Sequence, residues 1–400
     1  MIRRGGEAGA AYLATSLVTL ATLYALNRAG DAELLRQVLA IQFIASLAAG
    51  LEPGTAKAAA LGGASRGEAP PSTRAIVVVS GLKALLAAPI LALVWRLFDP
   101  TMDARLLVFT PFICAAGFAA TDLRVIYDLR GRHTAAIWIK QGSLGGGLIV
   151  LATLAAAGIP LAVAVGVSTL ARLLLILVLL GGAPGGSRVD RSGLTALLRD
   201  PRWLSLAGAS AIAAIGGSAD RMFGLRYLSA ESWAGYFALY EVFSKFWFLP
   251  YFVAPIVFAR TAAGRDTRNV TRWAAILTSA SGLVFVAVVA AALFVAPDLP
   301  RVLLGSRLSA AVPSFAIVAF AAGVALNSLA QIRIAELQGR GAAHRTLVIM
   351  ALSALATTAL FYLAARTFGA PGLLCAWLIK SLVEVALAYA PFRRRSQVAT

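Results

Sequence analysis

The sequence holds few of the residues that soluble catalysis and metal binding rely on. Of 400 residues, only 2 are cysteine, 2 are histidine and 18 are Asp or Glu. Charged side chains make up 14% of the chain, against about 25% in an ordinary soluble domain. Cys114 and Cys375 both fall in apolar runs and read as small buried hydrophobes, not as a disulfide. His133 and His344 sit in separate loops with no ligand spacing around them, so no metal site is expected. Cofactor and catalytic motifs are missing as well: there is no GxxxxGK[ST], HExxH or GxSxG. The cluster QGSLGGG at 141–147 lacks the Lys-Ser/Thr of a phosphate loop and lies within an apolar run. Close helix packing is its expected role.

What the chain has in excess is apolar residues, 60% of the total, with a mean hydropathy of +0.81. A hydrocarbon core about 30 Å thick takes about 20 apolar residues per helix. Twelve segments reach that length: 8–27, 33–51, 75–98, 105–128, 135–157, 160–181, 203–225, 232–258, 273–296, 311–335, 346–367 and 371–390. The expectation is an all-α polytopic membrane protein. The basic N-terminus with its apolar run reads as a first span, not a cleaved signal, because its length exceeds a short h-region. Trp95, Trp138, Trp203 and Trp273 fall at span ends and are expected as interfacial anchors.

The formal charge of +18 follows the same topology. With the N-terminus in the cytoplasm, 23 of the 36 Lys and Arg residues fall on that side, 8 on the other and 5 inside spans. That bias alternates loop by loop and fits the positive-inside rule. It places both termini in the cytoplasm, the chain in the plasma (inner) membrane, and membrane lipids, not nucleic acid, as the partner of the basic charge. No loop on the outer side exceeds about a dozen residues, which leaves no room for the external domain of a membrane glycosyltransferase or polymerase.

GGAPGGSRVDRSGLTALLRDP, residues 181–201, reads as a cytoplasmic linker, with 190–199 a candidate interfacial helix. It divides the chain into a six-helix lobe at 1–182, a linker at 183–202 and a second six-helix lobe with a basic tail at 203–400. The dipeptide Ala32-Glu33 before span 2 matches Ala230-Glu231 before span 8, a faint sign of a repeat. Substrates of such repeats bind between the halves near the bilayer midplane.

Ionisable groups within spans cost at least about 2.5–3.5 kcal/mol at the bilayer centre, so they tend to face protein or a watery cavity. The cations Lys83, Arg124, Arg172, Lys245 and Lys380 are candidates for binding an anionic substrate. Asp122, Asp220, Glu241 and Glu384 are candidates for carrying a coupling ion. Glu241 with Lys245 and Lys380 with Glu384 are i,i+4 pairs, and self-neutralisation within one helix is the competing expectation for each. Lys83, Arg124 and Arg221 could instead snorkel toward a headgroup region. Span 8 also stacks Trp233, Tyr236, Tyr240, Phe243, Trp247 and Tyr251, with lipid-facing packing the stronger expectation and sugar stacking the alternative.

The stretch SADRMFGLRYLSAESWAGYFALYEVFSKFWFLPYFVAPIVFART, residues 218–261, resembles the second-half opening of Wzx-type polysaccharide flippases. The shared pattern is Asp220-Arg221 near a span end, Gly235-Tyr236 starting the next span, and a proline before the cytoplasmic exit. GDAELLRQVLAIQFIASLAAGLEPGTAKAA, residues 30–59, is a fainter first-half echo, although Arg36 and Glu52 are unusual there. Membership of that branch of the multidrug/oligosaccharidyl-lipid/polysaccharide superfamily implies alternating access of two lobes. The implied cargo is a polyprenyl-pyrophosphate-linked glycan for polysaccharide biosynthesis, with a polymerase and glycosyltransferases as implied partners. The competing expectations are a cation-coupled drug or metabolite antiporter, although span 1 lacks the acidic residue usual there, a non-transporting envelope-assembly scaffold, and a membrane glycosyltransferase or polymerase.

Overall fold

In the computed structural model the described residues are part of 14–26 together with 32–52, 55–56, 72–130, 132–181, 202–262, 268–301 and 312–390. The linker, the interfacial segment at 190–199 and the basic tail expected from the sequence lie outside them, as does half of span 1. Among the described residues every regular element is helical. Eight helices are long and apolar enough to cross a membrane, the last of them covering two of the expected spans.

The first half contributes α1 (Ala32–Gly50), α2 (Thr73–Phe98), α3 (Thr110–Leu129), α4 (His133–Ile137), α5 (Ser143–Ala156) and α6 (Leu161–Gly181). The second half contributes α7 (Arg202–Gly216), α8 (Ala219–Tyr227), α9 (Ala230–Ser244), α10 (Phe248–Ala262), α11 (Arg268–Val295), α12 (Ser314–Gly339) and α13 (Ala343–Tyr389). Start signals match the local sequence. Ser72 caps α2 by accepting from the Ala75 N–H at 3.2 Å, and Ser229 caps α9 by accepting from Ser232 at 3.3 Å. The dipeptides that hinted at a repeat both open helices, with Glu33 in the first turn of α1 and Glu231 in the first turn of α9. These two helices pack on each other, with Phe43 edge-on to Phe237 at 6.4 Å between centroids.

Two expected spans are not continuous. The run 203–225 is broken after Gly216 into α7 and α8, and the run 232–258 is broken by a 3-10 turn at Lys245–Trp247 into α9 and α10. A third irregularity, a π turn at Trp138–Gly142, joins α4 to α5. The two spans expected at 346–367 and 371–390 are the two arms of α13. They meet at Gly369, where φ is +65°, a conformation that glycine adopts at little cost.

The bundle is inside-out in polarity at its lateral surface. Leu86, Val178, Leu283, Phe294, Val295 and Leu355 are all exposed, as lipid-facing residues are. Four of the span 8 aromatics are not among them. Trp233, Tyr236, Tyr240 and Phe243 are buried within the protein, which corrects the lipid-facing expectation: α9 is held between α1, α8, α12 and α13 and has no face left for lipid. Trp95 is likewise buried in the core with α1 residues, whereas Trp138 and Trp273 are exposed. Cys114 and Cys375 are free.

Close helix contact in the second half depends on Gly323. A Cβ there would sit 2.9 Å from the backbone of Trp377 and Leu378. Gly323→Val is therefore expected to force α12 from α13 and to destabilise by about 1–3 kcal/mol. Thermal unfolding of the detergent-purified protein checks this, with a lowered Tm expected.

Candidate functional site

A cavity of about 280 Å³ lies between helices of the two halves. Gln42 and Ser46 of α1, with Lys140 and Gln141 of the π turn, form one wall. Arg221, Tyr240, Glu241, Lys245, Trp247, Trp377, Lys380 and Glu384 form the other. It continues into a second compartment of about 430 Å³ that shares Lys140, Trp247, Asn327 and Gln331 and adds Glu52, Arg124, Asp128, Phe258 and Gln338. This second compartment lies toward the helix ends that carry Arg124, Asp128 and Gln338. At the other end the halves meet through aromatic rings. Phe98 is edge-on to Phe223 at 5.5 Å, and Phe223 and Tyr227 pack on Tyr362 at 5.6 and 5.7 Å.

Three helix irregularities, the α7–α8 break and the 3-10 and π turns just described, face this cavity. Gly216, Gly217 and Ser218 at the α7–α8 break, Lys245 and Trp247 in the 3-10 turn, and Lys140 and Gln141 in the π turn all line it. Irregular backbone at membrane depth is tolerated where it borders water or protein, not lipid, and π turns often accompany functional positions.

The two intrahelical pairs form, and both line the cavity. Lys245 Nζ lies 3.0 Å from Glu241 Oε2, and Lys380 Nζ lies 2.7 Å from Glu384 Oε1. The second pair has further company. Glu384 accepts from Asn327 Nδ2 on α12 and from Ser353 Oγ at 3.3 Å, while Lys380 lies 4.5 Å from the centre of the Trp377 ring. The cavity wall thus carries four cations, Lys140, Arg221, Lys245 and Lys380, and two carboxylates, Glu241 and Glu384. Self-pairing and a cavity position, set against each other as sequence readings, both hold.

Asp220 and Arg221 divide between the wall and the core behind it. Asp220 is fully buried, accepting from Tyr236 Oη and from Trp377 Nε1 at 2.8 Å. It thereby ties α8 to α9 and to the second arm of α13. Arg221 lies 3.5 Å from Asp220 and donates to Gly217 O at 2.8 Å. Its guanidinium sits 4.0 Å from the Tyr240 ring centre and 5.3 Å from that of Phe43 in the first half. Of the motif quoted from the sequence, Asp220 and Tyr236 are therefore packed together, and Arg221 alone reaches the cavity.

The remaining candidates lie elsewhere. Arg124 lines the outer compartment and pairs with Asp128 at 3.5 Å. Lys83 and Asp122 are buried within the first half. Asp122 accepts from Ser80 Oγ and from the Ala56 N–H at 2.9 Å, and Lys83 donates to Thr55 Oγ1 at 3.3 Å. Lys83 does not snorkel to the surface: it is buried and donates to Thr55 Oγ1. Arg172 borders a separate small chamber. The sequence reading missed Gln42, Lys140, Asn327, Gln331 and Trp377 at the cavity. A polar Asn-Ser-x-x-Gln run at 327–331 inside an apolar span was the available signal. Among the described residues no cluster of three or more metal-ligating side chains occurs.

The arrangement of two helical halves around a central cavity is that of the MATE transporters. The structure is similar over 97% of this chain and 94% of the other to a point mutant of the Vibrio cholerae MATE transporter VcmN, with TM-score 0.67 and 16% identity. A MATE in the straight conformation gives TM-score 0.64 at 16% identity, covering 97% of this chain and 93% of that one. The eukaryotic MATE transporter AtDTX14 gives 0.58 at 13%, covering 96% and 92%. No family model matches the sequence, and no curated protein matches it. The chain has the MATE fold, an all-helical polytopic membrane architecture.

Removing one partner of a buried ion pair leaves an uncompensated charge and costs about 3–5 kcal/mol. Lys380→Met and Glu384→Gln are each expected to destabilise on that scale, and the double variant to recover most of the loss. A double-mutant cycle of thermal unfolding checks this, and additive losses would contradict the coupling.

Proposed function

We propose that the protein moves a polyprenyl-pyrophosphate-linked oligosaccharide from the inner to the outer leaflet of the plasma membrane by alternating access. In this reading it serves polysaccharide biosynthesis, with both termini cytoplasmic. The observation that carries it is the charge of the cavity wall, four cations against two carboxylates between the two halves. A pyrophosphate is a multivalent anion, and Arg and Lys donors bind its oxygens through charge-assisted hydrogen bonds. Trp247 on the same wall is only half-buried and leaves surface for a sugar ring. The half-apolar outer compartment, with Pro255, Phe258, Ile334 and Met350, suits the first carbons of a lipid tail.

The conformer has its larger compartment toward the cytoplasmic side and its aromatic contacts closed at the other. Transport in this scheme alternates that state with one in which the Phe98–Phe223 and Phe43–Phe237 contacts open. The two halves then act as the lobes expected from the sequence, joined by the linker. A polysaccharide polymerase and glycosyltransferases are the partners this reading implies.

A second reading, a cation-coupled exporter of drugs or metabolites, draws support from the fold neighbours, one of which is described as a multidrug resistance MATE family transporter. The net positive wall favours anionic cargo and so the first reading.

Reconstitution into liposomes with a fluorescent polyprenyl-pyrophosphate glycan tests the proposal. Wild type is expected to exchange the lipid between leaflets, and Lys245→Ala and Lys380→Ala to slow exchange about tenfold or more, each lost charge-assisted contact being worth about 1.5–3 kcal/mol. No exchange by wild type under any imposed ion gradient, with export of a small organic cation instead, would favour the second reading.

A further inference from the structure

Five cations are buried among the described residues: Arg36, Lys83, Arg172, Arg221 and Lys380. Three of them pair with carboxylates, Arg36 with Asp99 and Glu33, Arg221 with Asp220, and Lys380 with Glu384, while Lys83 donates to Thr55 Oγ1. Arg172 has no paired carboxylate among the described residues. It is 5% exposed, and neither Nε nor Nη2 has a hydrogen-bond partner there. It stands in the middle of α6, eleven residues from Leu161, so its guanidinium is too deep for a headgroup to reach easily. The acids inside the other described spans are committed as above, and the apolar run of span 1 contains no Asp or Glu.

The side chain is aimed by the surrounding packing. Ser168 Oγ donates to Gly147 O at 2.7 Å and holds α6 against α5. One turn further on, the Arg172 stem passes over Gly147. A Cβ on that glycine would lie 2.5 Å from Arg172 Cδ and 2.9 Å from its Cγ. The glycine run that the sequence reading assigned to helix packing thus opens the passage for this arginine. Beyond it the guanidinium borders a chamber of about 10 Å³ lined by Gln42, Ala45, Ile113, Leu151, Ser168 and Thr169. That is room for about one water-sized particle. Gln42 also borders the central cavity, so it separates the chamber from the aqueous compartment and marks the route into it.

We propose that this chamber is a binding site for a single-atom monovalent anion, chloride in ordinary salt, held by Arg172 between α1, α5 and α6. A water molecule would fit but would leave a full positive charge uncompensated at membrane depth, at a cost of several kcal/mol. Phosphate, sulfate or carboxylate groups are larger still than a halide, which exceeds a water and already needs a wall side chain such as Gln42 to shift. The donors match a halide: the guanidinium supplies N–H groups, and Gln42 and Thr169 carry an amide and a hydroxyl at the same walls. The anion supplies the missing counter-charge and ties three first-half helices together. The site is separate from the Lys245 and Lys380 pairs and does not rest on the cargo proposed above.

Thermal unfolding of the full-length protein in detergent, at equal ionic strength in sodium chloride, bromide or gluconate, tests it. Wild type is expected to show a saturable rise in Tm of roughly a few degrees in both halides over gluconate. Arg172→Gln and Arg172→Met are expected to lose that dependence and to be no less stable than wild type in gluconate, because the uncompensated charge is gone. Equal wild-type Tm in all three salts, or a halide response that persists in Arg172→Gln, would overturn the proposal. Anomalous scattering from bromide-grown wild-type crystals needs no variant: a peak between Gln42 and Arg172 supports the site, and an empty chamber overturns it.

Discussion

A charge placed in the span of a membrane helix has to find its compensation within the protein or in water that the protein encloses, because lipid offers neither. Much of the interior here follows from that constraint. Lys380 and Glu384 are 2.7 Å apart on one helix, and Lys245 and Glu241 are 3.0 Å apart on another. In bulk water such pairs on a helix surface would contribute only a few tenths of a kcal/mol. Both line the second-half wall of the cavity, where each pair adds polarity without net charge. Arg221 extends the same logic, compensated from behind by Asp220 and sandwiched in front between Tyr240 and Phe43.

The backbone obeys a parallel constraint. A helix hides its own N–H and C=O groups, and breaking it at membrane depth exposes them. Three irregular turns, at Gly216–Ser218, Lys245–Trp247 and Trp138–Gly142, border the central cavity, where exposed backbone groups can be satisfied. Each turn also brings a polar or aromatic side chain to that space. Broken helices and intramembrane charges are two signs of one site, and in this chain they coincide.

Much of the architecture was legible from the residues alone. Apolar run length gave most of the spans, eight helices among the described residues being long and apolar enough to cross, and the turn at Gly369 falls between the runs expected at 346–367 and 371–390. Spacing of four gave both ion pairs, because pairing within a helix is a local property. What spacing could not give was which helix faces which. Lys83, Arg172 and Lys245 are each a cation in an apolar run, yet one is buried on Thr55 Oγ1, one borders a side chamber and one lines the cavity. That difference is set by contacts between segments far apart in the chain. The aromatics of α9 illustrate the same limit: their composition suits lipid, and only the packing of α1, α12 and α13 around them excludes it. The breaks in spans 7 and 8 were hidden because a short irregular turn leaves the hydropathy of the run almost unchanged.

The central claim is that the charged pairs border an aqueous cavity between the halves. Its most direct measurement is chemical accessibility in native membranes, in a chain with Cys114 and Cys375 replaced by alanine. Gln331 lines both compartments, whereas Leu355 is 76% exposed on the lateral surface. The account predicts that Gln331→Cys reacts readily with a charged, membrane-impermeant thiol reagent presented from the cytoplasmic side, while Leu355→Cys does not react. Equal inertness at both positions would mean that the centre is dry, and that the Lys–Glu pairs serve only to neutralise themselves.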